Sequence, residues 1–308
     1  MDDPIVIVAR LMSYLGAMIL FGSPVFLLFG RIVPDDASVP EFNWTRSLFL
    51  WSAVALFAAT VIAFLAQTTT LAGSFKAALE PATLNVALLQ MNFGIASLAR
   101  AAAALLAIII NLFFMPRRCA WALNAILGAV AVSSFAWMGH GAASQGSWKL
   151  IHLAGDLMHL WAAAGWIGAL VIFAALLLRP PADQAGQKSL HSALSHFSGL
   201  GTFLVAIIIL SGLINSVFLL GWNITKIVAE PYGQLMALKL FLFGLMLLLA
   251  AANRFRHTPE LAQALARGKP VVEAIRTLRR SVLLETGTAF AVLALVSWLG
   301  TLQPVIGP

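Results

Sequence analysis

Charge is what this chain has least of: Asp, Glu, Lys and Arg make up 10% of its 308 residues, against about a quarter in an ordinary soluble domain. Apolar residues make up 61%. That balance excludes a soluble globular domain and leaves an integral membrane protein. Cysteine is nearly absent too. The lone Cys119, beside Arg117 and Arg118, excludes a disulfide framework and a thiolate metal cluster. The apolar runs lack strand-like alternation, which argues against a β-barrel. Glycine-rich phosphate loops, a nucleophile elbow and the helical zinc-protease motif are missing, so hydrolase and ATPase readings lose their usual support. Met-Asp-Asp-Pro precedes the first apolar run in place of a basic n-region, and no small-residue cleavage site ends that run. It reads as a membrane span rather than a removed signal.

What is present is a series of apolar runs long enough to cross a bilayer, at about residues 5–29, 47–70, 93–115, 121–139, 151–178, 199–221, 234–252 and 281–300. The expected fold is an all-α polytopic membrane protein with eight transmembrane helices. The net charge of +7 suggests a nucleic-acid partner only until its distribution is read. The cations from Arg31 and Arg46, through Arg117, Arg118, Arg179 and Lys188, to the series Arg254–Arg280 lie in or beside alternate loops. The opposite loops hold only Lys76, Lys149 and Lys226. The positive-inside rule then puts the first set in the cytoplasm and both termini outside. The basic balance sets topology against membrane lipid and implies no nucleic acid.

The chain also reads as two parallel halves, 1–144 and 145–308. Phe93-Gly94 is followed six residues after the glycine by Arg100, and Tyr232-Gly233 at the same spacing by Lys239. Trp137-Met138-Gly139 ends the fourth run and Trp298-Leu299-Gly300 the eighth; thirteen residues before each Trp stand Asn124 and Glu285. Four helices per half preserve orientation, so the expected repeat is parallel, about an axis along the membrane normal. Two connections are long. Residues 71–92, with Pro81, read as an amphipathic stretch lying on the membrane or forming a lid. Residues 253–280 read as a solvated inner loop with a short helix from Pro259 to Arg267.

The chemistry-bearing residues gather at one place. His140 closes the fourth run, and His152, Asp156 and His159 open the fifth at i, i+4 and i+7, which stacks them on one helical face. Asp156 then lies about 6 Å and His159 about 10 Å deeper than His152, a ladder descending from the outer face. Polar groups at that depth face a cavity, a partner or a metal. Met138, Met91 and Met236 lie near the same level; thioether with imidazole suits Cu(I), and imidazole with carboxylate suits Cu(II) or zinc. Each Met also suits simple core packing. Asp156 has two readings: it orients or ligates a metal, or it neutralises one of the buried cations Arg100 and Lys239. Glu285 can receive an ion or proton on the inner side, or pair with Arg280 and its neighbours. His191, His196 and His257 fall on the cytoplasmic side with no ligand spacing and read as solvated. When Gly22 is aligned with Gly168, Val6, Arg10 and Ser13 stand where the second half has His152, Asp156 and His159, so the ladder belongs to one half alone.

Several stretches resemble the bacterial copper-resistance inner-membrane proteins called CopD: His152-Leu-Ala-Gly-Asp156-Leu-Met-His159-Leu-Trp161 continuing to Trp166-Ile-Gly168, then Phe197-Ser198, Ser211-Gly212-Leu-Ile-Asn215, Tyr232-Gly233 through Lys239, and Asn253-Arg254. The likeness is best over about residues 145–300 and looser before. It implies copper handling at the cytoplasmic membrane, uptake from the periplasm, and a separate periplasmic carrier of the CopC type, since no carrier domain is fused here. The expectation is a non-enzymatic copper permease with a ladder of His140, His152 and His159, helped by Met138, Met91, Met236 and Asp156. Arg100, Lys239 and Glu285 are expected to fix the bundle or set the field and gating near it. Two rivals stand beside it. A haem b electron carrier needs histidines on facing helices, with His140 opposing His152 or His159. A non-transporting receptor would dock the copper carrier at the outer loop.

Overall fold

The structure is a computed structural model that describes residues 4–30, 42–114, 117–138, 149–181, 183–220, 230–268 and 270–302. His140 and both termini lie outside these. Among the described residues every regular element is a helix. In chain order they are α1 (Pro4–Phe29), α2 (Trp44–Ala72), α3 (Phe75–Ala78), α4 (Pro81–Leu89), α5 (Asn92–Phe113), α6 (Arg118–Ser134), α7 (Lys149–Leu178), α8 (Gln184–Leu220), α9 (Pro231–Ala252), α10 (Thr258–Ala266) and α11 (Val272–Leu299). A π-helical turn, Asn253–His257, joins α9 to α10.

Seven of the helical segments are long and apolar enough to cross a membrane. The expected fourth span is shorter than hydropathy implies: α6 has 17 residues and rises about 26 Å, less than the ~30 Å of a hydrocarbon core. Its last residues, Phe135–Met138, form turns instead. Elsewhere the helices outrun the apolar segments. Helix α8 begins at Gln184 and α11 at Val272, because hydropathy marks where lipid would begin, whereas good helix formers carry the backbone on into the polar region. The stretch 71–92 is not an amphipathic lid. Its helix α4 has no separate polar and apolar faces, and Leu84, Ala87 and Leu88 pack with Phe64 of α2 and Phe93 of α5.

Helices α1 and α7 form the centre. Helix α1 packs on α2, α6, α7 and α11, and α7 packs on α1, α6, α8 and α11. These approaches are close because small residues sit at the crossings. Gly22 and Gly168 meet where α1 crosses α7, and a Cβ on either would collide with the other helix's backbone. Ser23 Oγ donates to the Gly168 carbonyl oxygen there at 3.0 Å. Gly128 brings α6 against α1 in the same manner.

The first four long helices close a ring, α1–α2–α5–α6, by neighbour-to-neighbour packing. In the second set α7 packs on α8 and on α11, and α11 packs on α9, but α8 and α9 do not close the ring as α2 and α5 do. The gap between α8 and α9 is where the cavities lie.

Candidate metal site

A cavity of about 680 Å³ runs between α1, α7, α8, α9 and α11 at the end of the bundle where α7 and α9 begin. Helical period explains its polar lining. His152, Asp156 and His159 lie on one face of α7, and that face turns into the cavity. Opposite stand Asn215 and Ser216 of α8, and Tyr232, Met236 and Lys239 of α9; Arg10 of α1 completes the polar set. Most of the remaining wall is aliphatic and aromatic.

His152 is buried, at 2% exposure. One turn deeper, Asp156 Oδ1 accepts from Asn215 Nδ2 at 2.6 Å. Lys239 and Tyr232 are both close enough to Asp156 to interact with it electrostatically. His159 Nδ1 lies 3.1 Å from Ser211 Oγ. The Ser211 hydroxyl donates its one proton to the Ile207 carbonyl at 2.5 Å, so it can only accept from the imidazole. An Nδ1–H imidazole donating to Ser211 would leave Nε2 as the basic nitrogen able to bind a metal. Among the described residues no three His, Cys, Asp or Glu side chains form a ready-made metal cage. His152 and His159 stand at different depths along α7, about two turns apart.

The methionines divide. Met236 is buried on the cavity wall beside Tyr232 and Leu299. Met138 also reaches the wall, but its sulfur accepts from Arg100 Nη2 at 2.9 Å. Met91 does not line the cavity; it packs in a cluster with Phe64, Ala87, Phe93 and Met138, where α4 folds back on α5. Arg100, 2% exposed, also donates from Nε to Ser134 Oγ at 2.8 Å, and its guanidinium lies 3.8 Å over the Phe135 ring. It ties α5 to the end of α6. Both cavity-lining histidines among the described residues stand on α7; His140, the facing ligand a haem would need, lies outside the described residues.

A second cavity, of about 220 Å³, lies towards the other end of the bundle. Trp166 is the one described residue that lines both, so its indole stands between them. Phe243 packs edge-on against it, with ring centroids 6.2 Å apart. On the far side Trp166 Nε1 donates to Glu285 Oε1 at 3.1 Å, and Asn253 Nδ2 donates to Glu285 Oε2 at 2.8 Å. The expected pairing of Glu285 with Arg280 does not occur. Glu285 lies at the midpoint of α11 rather than at its end, and no Lys or Arg among the described residues is within ion-pair distance of it.

Sequence reading passed over the roles of Ser211, Asn215, Trp166 and Asn253. The available signal was Ser211 and Asn215 at i and i+4, a polar pair on one face of an otherwise apolar helix.

The family model described as "Copper resistance protein D-like, N-terminal domain" matches residues 1–150, and that described as "Copper resistance protein D" matches residues 191–299. The chain is 37% identical to "Copper resistance protein D" of Pseudomonas syringae pv. tomato over 308 residues, 99% of this chain and 98% of that protein. The chain belongs to the copper resistance protein D family. It is also 30% identical to "Inner membrane protein YebZ" of Escherichia coli (strain K12) over 224 residues, 71% of each. No solved structure matches it. The smaller cavity of this copper resistance protein D family member is lined wholly by residues from 166 onward, whereas the larger also draws on α1 through Arg10, Tyr14 and Met18 and on the turns after α6 through Phe135, Ala136 and Met138.

Proposed function

We propose that this chain is a copper permease of the bacterial inner membrane, taking copper up from the periplasm without a nucleotide motor. The observation that carries the reading is the convergence of His152, Asp156, His159 and Met236 on one cavity in the gap between α8 and α9. Imidazole and thioether are the ligands copper prefers. Copper enters at His152 and passes to His159 and Met236; His140, expected in the same ladder, lies outside the described residues. Asp156 offsets part of the ion's charge and answers Lys239 across the cavity. Met138 serves through Arg100 as scaffold, and Met91 as packing.

The topology follows the charge distribution: eight spans, with α6 and its terminal turns as the fourth, both termini periplasmic, and the two halves related by a parallel repeat. The meeting of Gly22 with Gly168 supports the repeat, because equivalent residues touch on a pseudo-two-fold axis. A separate CopC-type carrier supplies the copper at the mouth.

The test is copper flux into proteoliposomes of known orientation, for wild type and for His152→Ala/His159→Ala. A second reading draws on Trp166, which lies between the two cavities: a receptor that binds copper or docks its carrier without passing the ion on. Copper binding without flux in the same vesicles would favour it.

A further inference from the structure

We propose that Glu285 and Asn253 form a second cation site, separated from the histidine cavity by Trp166, that takes a hard monovalent cation, a proton or a sodium ion. The site goes beyond the copper reading and stands without it.

Glu285 is 3% exposed at the middle of a membrane-spanning helix. Its two hydrogen-bond donors, the Trp166 indole and the Asn253 amide, are both neutral. Arg254 lines the same cavity, where its Nη1 donates to the Thr202 hydroxyl, and it makes no ion pair with Glu285. A carboxyl group in a bilayer is costly unless positive charge is supplied to it, and no described Lys or Arg lies within ion-pair distance of this one. Each carboxylate oxygen also keeps lone-pair capacity beyond the one bond it accepts.

The second observation is independent of that charge. Asn253, 9% exposed, turns its amide N–H towards Glu285, while its Oδ1 is buried with no hydrogen-bond partner. A buried acceptor left empty points to something that fills it. Asn253 opens the π-helical turn, a backbone distortion that collects at functional sites. The cavity that both residues line is also lined by Ser198 and Thr258. The donors on offer are all oxygen, which suits a hard cation and not copper.

The first half provides the internal comparison. Asn124, standing where the second half has Glu285, pairs with Asn111: Asn111 Nδ2 donates to Asn124 Oδ1 at 2.9 Å and Asn124 Nδ2 to Asn111 Oδ1 at 3.3 Å. That pair is neutral and its amides satisfy one another. The half with the cavities replaces one amide by a carboxyl group and leaves an oxygen open.

The test uses the purified full chain in lipid, free of copper, so its outcome is independent of copper binding. Infrared difference spectra follow carboxyl absorption, and tryptophan emission follows Trp166. One arm is a pH titration in sodium-free buffer; the other is a sodium titration at fixed pH. A saturable change in either arm that is lost in Glu285→Gln supports the site, and the arm that responds identifies the ion. Asn253→Ala keeps the carboxyl group and should weaken the response about tenfold. Trp166→Phe should abolish the emission change and keep the infrared one. Wild-type titrations in Glu285→Gln, or an unshifted midpoint in folded Asn253→Ala, would overturn the site and leave Glu285 a structural acceptor.

Discussion

Gly22 of α1 and Gly168 of α7 lie against each other so closely that neither can carry a side chain without moving the other helix. The two central helices are held by this contact and by the Ser23 bond to the Gly168 carbonyl. Gly168→Leu should therefore destabilise the protein by about 1–3 kcal/mol or prevent folding, since over-packing has nowhere to go. Gly244→Ala serves as control. Space is open around Gly244, and the helix gains up to about 1 kcal/mol. Thermal unfolding in detergent measures both.

Ser211 orients His159. Ser211→Ala removes the hydroxyl that His159 Nδ1 meets and frees the ring to turn. Copper affinity should fall about 10–100-fold, the usual effect of losing a partner that holds a metal-binding imidazole. The fold should hold, because only one hydroxyl is lost. Isothermal titration with copper checks this; unchanged affinity would remove the serine's role.

Arg100 and Met138 belong together. Arg100→Lys cannot bond Ser134 and Met138 at once while stacking flat on Phe135, so it should cost about 1–3 kcal/mol of stability. Met138→Leu removes the same sulfur yet should leave copper affinity nearly unchanged. Met236→Leu should lower it about tenfold, equivalent to 1.4 kcal/mol of binding. Equal losses for the two methionines would return Met138 to the ligand set.

Asp156 and Lys239 face each other across the cavity. Asp156→Asn leaves a lysine charge in the membrane without its counter-charge, at a cost of at most about 3 kcal/mol. Adding Lys239→Met should recover most of that loss. A double-mutant cycle on unfolding measures the coupling, and strict additivity would dissolve the pair.

How much of this was legible in sequence differs from residue to residue. His152, Asp156 and His159 could be put on one face because helical period is a local rule, and that face does line the cavity. The approach of Gly22 to Gly168 was half-legible: their correspondence was visible, but their contact is tertiary. Met91 could not be placed, since its distance from the histidines depends on how α4 folds back on α5. Glu285 misled because hydropathy dates the start of lipid rather than of helix, so a mid-helix carboxyl read as a terminal one. Its partners Trp166 and Asn253 lie 119 and 32 residues away, and no local pattern joins them. Arg10 was seen as the counterpart of Asp156 but not as its neighbour on the same cavity wall.

The most direct test of the central claim is copper flux into oriented proteoliposomes. Wild type should carry copper inward, His152→Ala/His159→Ala should lose nearly all of that flux while remaining folded, and Met138→Leu should retain it. Undiminished flux in the double histidine variant would contradict the account.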